Sequence, residues 1–567
     1  MTINKQFKQW TPVIVFIVIA IAFRFYRTSN ENYYLLAGSD GPYLPLQVRS
    51  LFENYKMAFP DMPLLFVLCT LVAKLFYFLH FGTVNECVLL AVRFVDTLLP
   101  PLTAIPVFLI ARELCKEDLK IKFSNYFLVA FSILSFTPLY IFSFQLQKNG
   151  LATVLIFSYL FYVLKIITYE KKTDLIKAVV VLIICAFTHF GSFGVIVFIT
   201  IITFLVWLLT QKNIFKSHTF KISISLITVL IVSFTLIAFF DYTRFLRIIN
   251  VPFKIFEAPV LLFALAGQNF VFNGANLTIL IVMNLLAIIG IIVLARQRKQ
   301  LDKNIFIIGS SMAICTIFLS NPMLGLEWAN RLFMLAYIPI TILYLILYKI
   351  NDNKWFKIPT LSIFSILLFV SLGTSLFDKS PRTMDDSSFR ELQQMKDKNI
   401  FVNSDAIVAR QSLRILSNWV FNVKGVDKYL LTKDEYNKYT SVFLLKQLKG
   451  RNPNARGSEP SLGDSVLSVY KGEHFEAFKL ISNAQLPTKP EKIFKGIRGI
   501  ISNISGNKLL ITDIKTNKTR TIYYDTHNEQ FSKLKIGMKV EVNGEWLPFS
   551  IDIKAETIKE LEKFDDK

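Results

Sequence analysis

The chain has 567 residues, of which 53% are hydrophobic, and its mean hydropathy is +0.46. These values exclude an ordinary soluble domain and predict a polytopic membrane protein, because several apolar runs reach the ~20 residues that a bilayer-crossing helix needs. The net charge of +22 does not require a nucleic-acid partner, because Lys and Arg also accumulate in the cytoplasmic loops of membrane proteins. The five cysteines show no Cys-x-x-Cys spacing and therefore no zinc signature.

The first apolar run extends from Trp10 to about Phe25, follows Lys5 and Lys8, and leads into "FRFYRTS" rather than a small-residue cleavage site. This pattern predicts an uncleaved signal anchor with a cytoplasmic N-terminus in the inner or plasma membrane. Further apolar runs follow at 62–80, 92–111, 123–143, 151–168, 175–189, 191–210, 222–240, 275–295, 304–320, 331–348 and 358–376.

The distribution of basic residues predicts the topology. From residue 112 onward, loops rich in Lys and Arg alternate with loops poor in them, which places everything after 376 outside the cell. The alternation holds if 62–80, which begins at "PDMP" and contains Lys74, lies at the outer surface instead of crossing the membrane. The sequence then predicts about eleven spans, and an arrangement of about twelve spans with one violated loop stays open.

Beyond a membrane domain at 1–376, the sequence predicts two extracytoplasmic domains. The first, at 377–486, is a small α/β domain with a strand at 399–404, a helix at 405–418, a capping box "TKDE" opening a helix to about 448, and a strand in "DSVLSVYKG". The second, at 487–567, shows five short alternating strands separated by Gly and Asn turns. That pattern predicts a small β-barrel of the OB-like kind.

The chemistry concentrates in "LLAGSDGPYLPLQVRS", residues 35–50, at the exit of the first span. A carboxylate that loses solvent at the membrane interface gains a higher pKa, so Asp40 could serve as a general base. Ser39-Asp40-Gly41-Pro42 is also typical of a helix start, where Asp40 would only cap the helix. Both interpretations stay open on spacing alone.

The layout of residues 1 to about 376 resembles the GT-C superfamily of glycosyltransferases. The similar features are the signal anchor, the acid in a long first outer loop, the segment "FPDMPLLF", the many spans and the outer tail. This superfamily includes protein mannosyltransferases, aminoarabinose transferases and oligosaccharyltransferase catalytic subunits. The resemblance implies that Asp40 is catalytic. Many members have two acids in the first outer loop, whereas this chain has a single Asp before Gly. The segment "NWVFN" is not a "WWDYG"-like motif, so the chain also differs from a standard oligosaccharyltransferase.

The resemblance implies a polyprenyl-phosphate-linked sugar donor and a glycan, lipid or protein acceptor. A leaving phosphate needs positive charge, and cations are scarce in the predicted outer loops, although the loop 241–274 adds Arg244, Arg247 and Lys254. The predicted substrate-binding residues are Tyr43, Arg49, Lys148, His189, Glu327 and Arg331. Interfacial snorkelling, loop solvation or plain packing are the alternative roles for these side chains.

No cofactor is assigned from the sequence. A divalent metal shared by Asp40 with Glu53, Asp61 or Glu257 stays open, because nothing in the spacing demands it. Asp96, inside a predicted span, is expected to pair with Arg93.

Three other functions stay open: a transporter or flippase of lipid-linked glycans, an unrelated polymerase or ligase, and a scaffold whose tail binds glycan or protein. A transporter should place polar or broken helices at mid-membrane. Here the polar groups concentrate in the predicted outer loops, which favours an enzyme.

Overall fold

The structure is a computed structural model. It describes residues 2–29, 41–59, 61–115, 122–143, 146–169, 171–210, 235, 255–256, 259–261, 277–377, 384, 386–409, 411–426, 433–448, 466–480, 497–505, 508–514, 519–524, 533–546 and 553–561.

The membrane part is a helical bundle. Its α-helices are α1 Thr2–Ser29, α2 Tyr43–Asn54, α3 Leu64–Phe78, α4 Val84–Leu98, α5 Ala104–Leu114, α6 Phe123–Leu134, α7 Gln147–Tyr169, α8 Lys172–Thr188, α9 Phe190–Thr210, α10 Leu277–Gln297, α11 Lys303–Leu319, α12 Leu326–Phe333, α13 Tyr337–Ile350 and α14 Lys354–Phe377. A 3₁₀ turn, Pro100–Thr103, joins α4 to α5, and a π-helical turn, Thr137–Ile141, follows α6. Eight helical segments of the described chain are long and apolar enough to cross a membrane, which confirms a polytopic helical membrane protein.

Helix α3 is the segment whose role was ambiguous in the sequence. It has 15 residues and so spans about 22 Å, which is short of the ~30 Å hydrocarbon core. One face presents Val67, Leu71, Leu75 and Phe78 to the surroundings, while Leu65 and Phe66 pack into a core shared with the C-terminal half of the chain. This geometry fits a helix lying at the membrane surface. The predicted span at 222–240 and most of the loop 241–274 lie outside the described residues.

The α/β domain contains α15 Asp386–Asp397, β1 Ala406–Val408, α16 Gln411–Phe421, β2 Lys424–Val426, α17 Lys433–Tyr436, β3 Val442–Gln447, β4 Val466–Lys471 and β5 Phe475–Leu480. The strand order is β2-β1-β3-β5-β4, with β1 parallel to both β2 and β3, and β5 antiparallel to β3 and β4. The predicted strand at 399–404 and the helix extending to about 448 are wrong. The first strand begins at Ala406, and Val442–Gln447 forms a strand because β1 and β5 pair with it on either side.

The last domain is a closed five-stranded barrel. Its strands are β6 Ile497–Ser505, β7 Lys508–Asp513, β8 Thr519–Tyr523, β9 Lys539–Trp546 and β10 Ile553–Glu560. Strand β10 closes the barrel by pairing parallel to β8 and antiparallel to β9, and β9 pairs with β6. Neighbours run 1-2-3-5-4-1 with one parallel pair, which confirms the predicted OB-like barrel.

The apolar cores show how the parts meet. One large core fills the helix bundle, and a small one fills the barrel. A further core is shared by α2, α3, α4 and the α/β domain, so that Leu46 and Phe66 belong to the same buried cluster as Trp419 and Phe443. Strand β6 contributes Ile500 to a cluster around α12. The domain boundaries predicted from composition stay predictions, and residues 481–496 lie outside the described ones.

Candidate active site

Helix α2 places polar side chains of the predicted first outer loop inside the protein. It begins just after Gly41 and Pro42, both of which are buried. Its first two turns, Leu44 to Arg49, are buried as well, so the polar side chains of Gln47 and Arg49 lie inside the protein. Asp40, the predicted base, immediately precedes this segment and lies outside the described residues.

A polar network forms at the start of α2. The Tyr43 hydroxyl donates to Asp61 Oδ2 at 2.7 Å, and Gln47 Nε2 donates to the Tyr43 oxygen at 3.0 Å. The same Gln47 amide holds the loop before α3, because Nε2 donates to Phe59 O at 2.9 Å while Oε1 accepts from Phe59 N at 3.0 Å. The backbone N–H of Met62 donates to Asp61 Oδ1 at 2.7 Å. Asp61 is thus held rigidly in place.

Lys148 joins this network from the first turn of α7. Its Nζ forms an ion pair with Asp61 Oδ2, and it lies 4.7 Å from the ring centroid of Phe66 and 5.8 Å from that of Tyr43. The two partners are shielded from solvent, with side-chain exposures of 16% for Lys148 and 3% for Asp61. A partly desolvated cation at a helix N-terminus, where the backbone dipole is also positive, is suited to an anionic group.

The residues flanking Lys148 carry buried polar atoms without partners. Within the described part of the chain, Gln147 Nε2, Asn149 Oδ1 and Ser143 Oγ make no hydrogen bond, although all three residues are more than nine-tenths buried. An unsatisfied buried polar atom costs about 1–3 kcal/mol. The two amides that flank Lys148 in the chain therefore fit a place where a polar ligand or water completes the bonding.

A buried ion pair supports this region from α1. Arg24 Nη2 lies 3.0 Å from Asp96 Oδ1, Arg24 Nε donates to Asp96 O at 2.9 Å, and Nη1 donates to Pro138 O at 2.6 Å. Arg24 therefore ties α1 to both α4 and the π-helical turn. The pairing of Asp96 with Arg93 stays a prediction, and the structure pairs Asp96 with Arg24, which is 72 residues away. Arg27, one turn further along α1, lies over the Tyr140 ring at 4.3 Å.

Arg49 lies at a different place from the network. Its guanidinium donates to Trp419 O at 2.8 Å and to Asn418 O at 2.9 Å, and it lies 4.8 Å from the Trp419 ring centroid. Burial lowers the pKa of Arg49, and Glu53 opposes that shift. These contacts tie α2 to the last turn of α16, so the predicted role of Arg49 in substrate binding stays a prediction beside an observed contact between domains.

The remaining predicted site residues are His189, which stands before α9, and Glu327 and Arg331, which belong to α12. His189 precedes α9, and its Nδ1 accepts from Ser192 N at 3.1 Å and lies 2.9 Å from Ser192 Oγ, which is the geometry of a helix cap. Arg331 is exposed on α12. The side chain of Glu327 lies outside the described ones. Their predicted roles toward substrate stay predictions.

Potential metal ligands are scattered in the described part of the chain. There, His, Cys, Asp and Glu side chains do not gather in groups of three or more. Of the acids considered for a metal, Asp61 is engaged by Tyr43 and Lys148, Glu53 is exposed, and Asp40 and Glu257 lie outside the described ranges.

Sequence reasoning named Tyr43 and Lys148 but not their common partner. Asp61 was considered only for a metal, and Gln147 and Asn149 were not considered. A signal was present in "QLQKNG", where three polar residues stand at the start of an apolar helix. Polar side chains at that position are costly unless they bind something.

The chain was also compared with known proteins. It matches no protein-family model and no curated protein at a significant level. Among solved structures, it is similar to ArnT from Cupriavidus metallidurans, in a crystal structure bound to undecaprenyl phosphate. The sequence identity is 10%, the TM-score is 0.42, and the alignment covers 84% of this chain and 99% of the other. So distant a likeness carries no conclusion on function, which only the residues of this chain can support.

Proposed function

We propose that this chain is an integral-membrane glycosyltransferase of the GT-C kind. It would transfer a sugar from a polyprenyl-phosphate-linked donor to a glycan, lipid or protein acceptor on the outer face of the membrane. The observation that carries the proposal is the shielded Lys148–Asp61 ion pair bonded to Tyr43, three residues after Asp40. The proposal assigns Lys148 to the donor phosphate, and Tyr43 closely follows the predicted base in the sequence.

The reaction would be a direct displacement with inversion. The acceptor hydroxyl oxygen attacks the anomeric carbon, the bond from that carbon to the phosphate oxygen breaks, and the phosphate leaves with the electron pair. Asp40 takes the proton of the hydroxyl as general base. Lys148 stabilises the charge on the leaving phosphate, helped by the N-terminal dipole of α7.

Asp61 would keep Lys148 in position rather than take part in proton transfer. Its carboxylate already accepts from Tyr43, Met62 N and Lys148. Three donors on one carboxylate fix its orientation. Before the donor binds, Asp61 neutralises the charge of Lys148. A phosphate that binds beside Lys148 would then interact with the same ammonium group as Asp61.

The experiment is a transfer assay in membranes that contain lipid-linked sugars, comparing wild type with Asp40→Asn at equal expression. Asn keeps the size and turn-forming ability of Asp but cannot act as a base. We expect transfer to collapse while photo-crosslinking to a polyprenyl phosphate persists. Asp397→Asn, an exposed acid of the α/β domain, serves as the control and should transfer normally.

Two outcomes would contradict the proposal. Full transfer by Asp40→Asn would exclude Asp40 as the general base. Translocation of lipid-linked sugar across the membrane, unchanged in Asp40→Asn and without any transfer, would identify a flippase.

A further inference from the structure

A second group of chemically suited side chains lies in the α/β domain, apart from the site described above. The hydroxyl of Ser387, in the first turn of α15, lies 3.2 Å from Nε2 of His474. The other ring nitrogen, Nδ1, lies 2.9 Å from Oε2 of Glu391, one turn further along the same helix. A serine, a histidine and a carboxylate thus stand in line, each within hydrogen-bonding reach of the next.

Glu391 fixes the state of the imidazole. Its Oε2 also accepts the backbone N–H of His474 at 2.8 Å, and its Oε1 accepts that of Phe475 at 3.0 Å. Desolvation raises the pKa of Glu391, but the hydrogen bonds donated by His474 and Phe475 outweigh it and hold the pKa below its ordinary value. A charged carboxylate accepts the proton on Nδ1, which favours the tautomer whose lone pair at Nε2 faces Ser387.

The backbone of the β4–β5 turn is built for this contact. A Cβ added at Gly472 would lie 2.0 Å from Glu391 Oε1 and 2.7 Å from the Tyr470 hydroxyl. Only glycine lets the turn approach the carboxylate so closely. The close approach sets His474 between Glu391, which is shielded, and Ser387, which is exposed.

We propose that Ser387, His474 and Glu391 form a second catalytic site, in which Ser387 is the nucleophile, His474 the general base and Glu391 the positioning residue for acyl transfer from a carboxylic ester. The order of contacts is that by which an activated serine is recognised, irrespective of fold.

The chemistry needs no co-reactant other than water. Ser387 Oγ attacks the ester carbonyl carbon, and its proton passes to His474 Nε2. The bond from that carbon to the alkoxy oxygen breaks, the alcohol leaves with the proton from Nε2, and the acyl group stays on Ser387. Water, deprotonated by His474, then releases the acid. Asp386 and Glu473 are neighbours of Ser387 and His474 in the chain, so a neutral ester is favoured over an anionic one.

The test uses the full-length protein in detergent with a fluorophosphonate probe, which labels activated serines covalently. We expect an adduct on Ser387 by peptide mass, lost in Ser387→Ala, reduced at least about tenfold in His474→Gln, and kept in Ser404→Ala, an exposed serine of the same domain. Hydrolysis of p-nitrophenyl acetate should follow the same order. Labelling should be unchanged in Asp40→Asn, so this site can fail without the proposed glycosyltransferase failing.

A second variant keeps the proposal testable if His474→Gln does not fold. The five native cysteines are buried, so a single exposed thiol can be followed alone. We expect Ser387→Cys to react with iodoacetamide at neutral pH at least about tenfold faster than Ser404→Cys, because His474 promotes the thiolate. Equal rates, or a wild-type protein without an adduct on Ser387, would overturn the proposal and leave Glu391 and His474 with a purely structural role in the β4–β5 turn.

Discussion

Lys148 and Asp61 are 87 residues apart in the chain and form an ion pair between the first turn of α7 and the loop before α3. Tyr43 donates to the same carboxylate from α2. Asp61, which is shielded from solvent, therefore links α2, the loop before α3 and the first turn of α7 beside Lys148.

The role of that cation can be tested by Lys148→Met, which keeps the length of the side chain and removes its charge. We expect transfer to fall about 10²-fold, the effect typical of removing one group that stabilises developing negative charge. The measurement is the rate of transfer from a lipid-linked sugar in membranes. Lys165→Met is the matched control. Lys165 lies at the other end of α7 and forms an ion pair with Asp174 of α8. Similar losses in both variants would point to folding rather than chemistry.

The amides beside Lys148 predict an unusual combination of effects. Each has one buried atom without a hydrogen bond among the described residues, Nε2 of Gln147 and Oδ1 of Asn149, which Gln147→Leu and Asn149→Leu remove. Replacing an unsatisfied polar group by an apolar one of similar shape is neutral or stabilising. We therefore expect an unchanged or higher melting temperature together with a KM for the donor raised about tenfold. Lower stability with unchanged KM would contradict a role in binding.

The buried pair of Arg24 and Asp96 should matter for stability. Asp96→Asn removes the carboxylate charge that faces the buried Arg24 guanidinium, and breaking such a pair from one side costs about 3–5 kcal/mol. Equilibrium unfolding in mixed micelles measures this cost. The comparison is Lys122→Met, which breaks an ion pair with Asp352 in which both partners are well exposed and should cost at most about 1 kcal/mol. Equal costs would show that the Arg24–Asp96 pair is solvated.

Arg49→Lys separates the two roles considered for that residue. Lysine keeps the charge but cannot bridge two carbonyl groups and stack on Trp419 as the guanidinium does. We expect faster amide hydrogen exchange across α16, measured by mass spectrometry, with Arg390→Lys on α15 as the control. Loss of transfer with unchanged exchange would instead identify Arg49 as a substrate ligand.

The pH dependence of the α/β domain should follow Glu391. Its pKa is lowered on folding from an ordinary value of 4.5, so folding favours the charged form. The stabilisation is complete above about pH 4.5 and is lost as the pH falls through the lower pKa of the folded state. We expect the acid limb of a melting-temperature profile below about pH 4.5 to flatten in Glu391→Gln. Glu476→Gln, on β5, is the control and should keep the wild-type slope.

The barrel could be predicted strand by strand, because alternation and turn residues are local signals. The strand at Val442–Gln447 could not. Its residues form an apolar run after a capping box, and only pairing with β1 and β5, which is decided by tertiary structure, makes it a strand. The membrane helices were predicted from length and hydropathy, which a bilayer demands of any span.

The candidate site could be predicted only in part. Tyr43 and Lys148 stand out as polar residues at the ends of apolar runs, but nothing in the sequence shows that both contact Asp61. The same holds for Arg24 and Asp96, which are joined across 72 residues. Which residues so far apart in the chain become partners depends on tertiary packing, which a single sequence does not reveal.

The core that joins α2 and α3 to the α/β domain has a consequence for biosynthesis. Leu46 and Phe66 are synthesised about 400 residues before the strand that contributes Phe475 and Ala477 to the same core. Until then, their apolar faces have no partner from that domain, and closing so long a loop is slow. Maturation of the first loop is therefore expected to wait for the α/β domain, and chaperones would protect the exposed apolar faces in that interval.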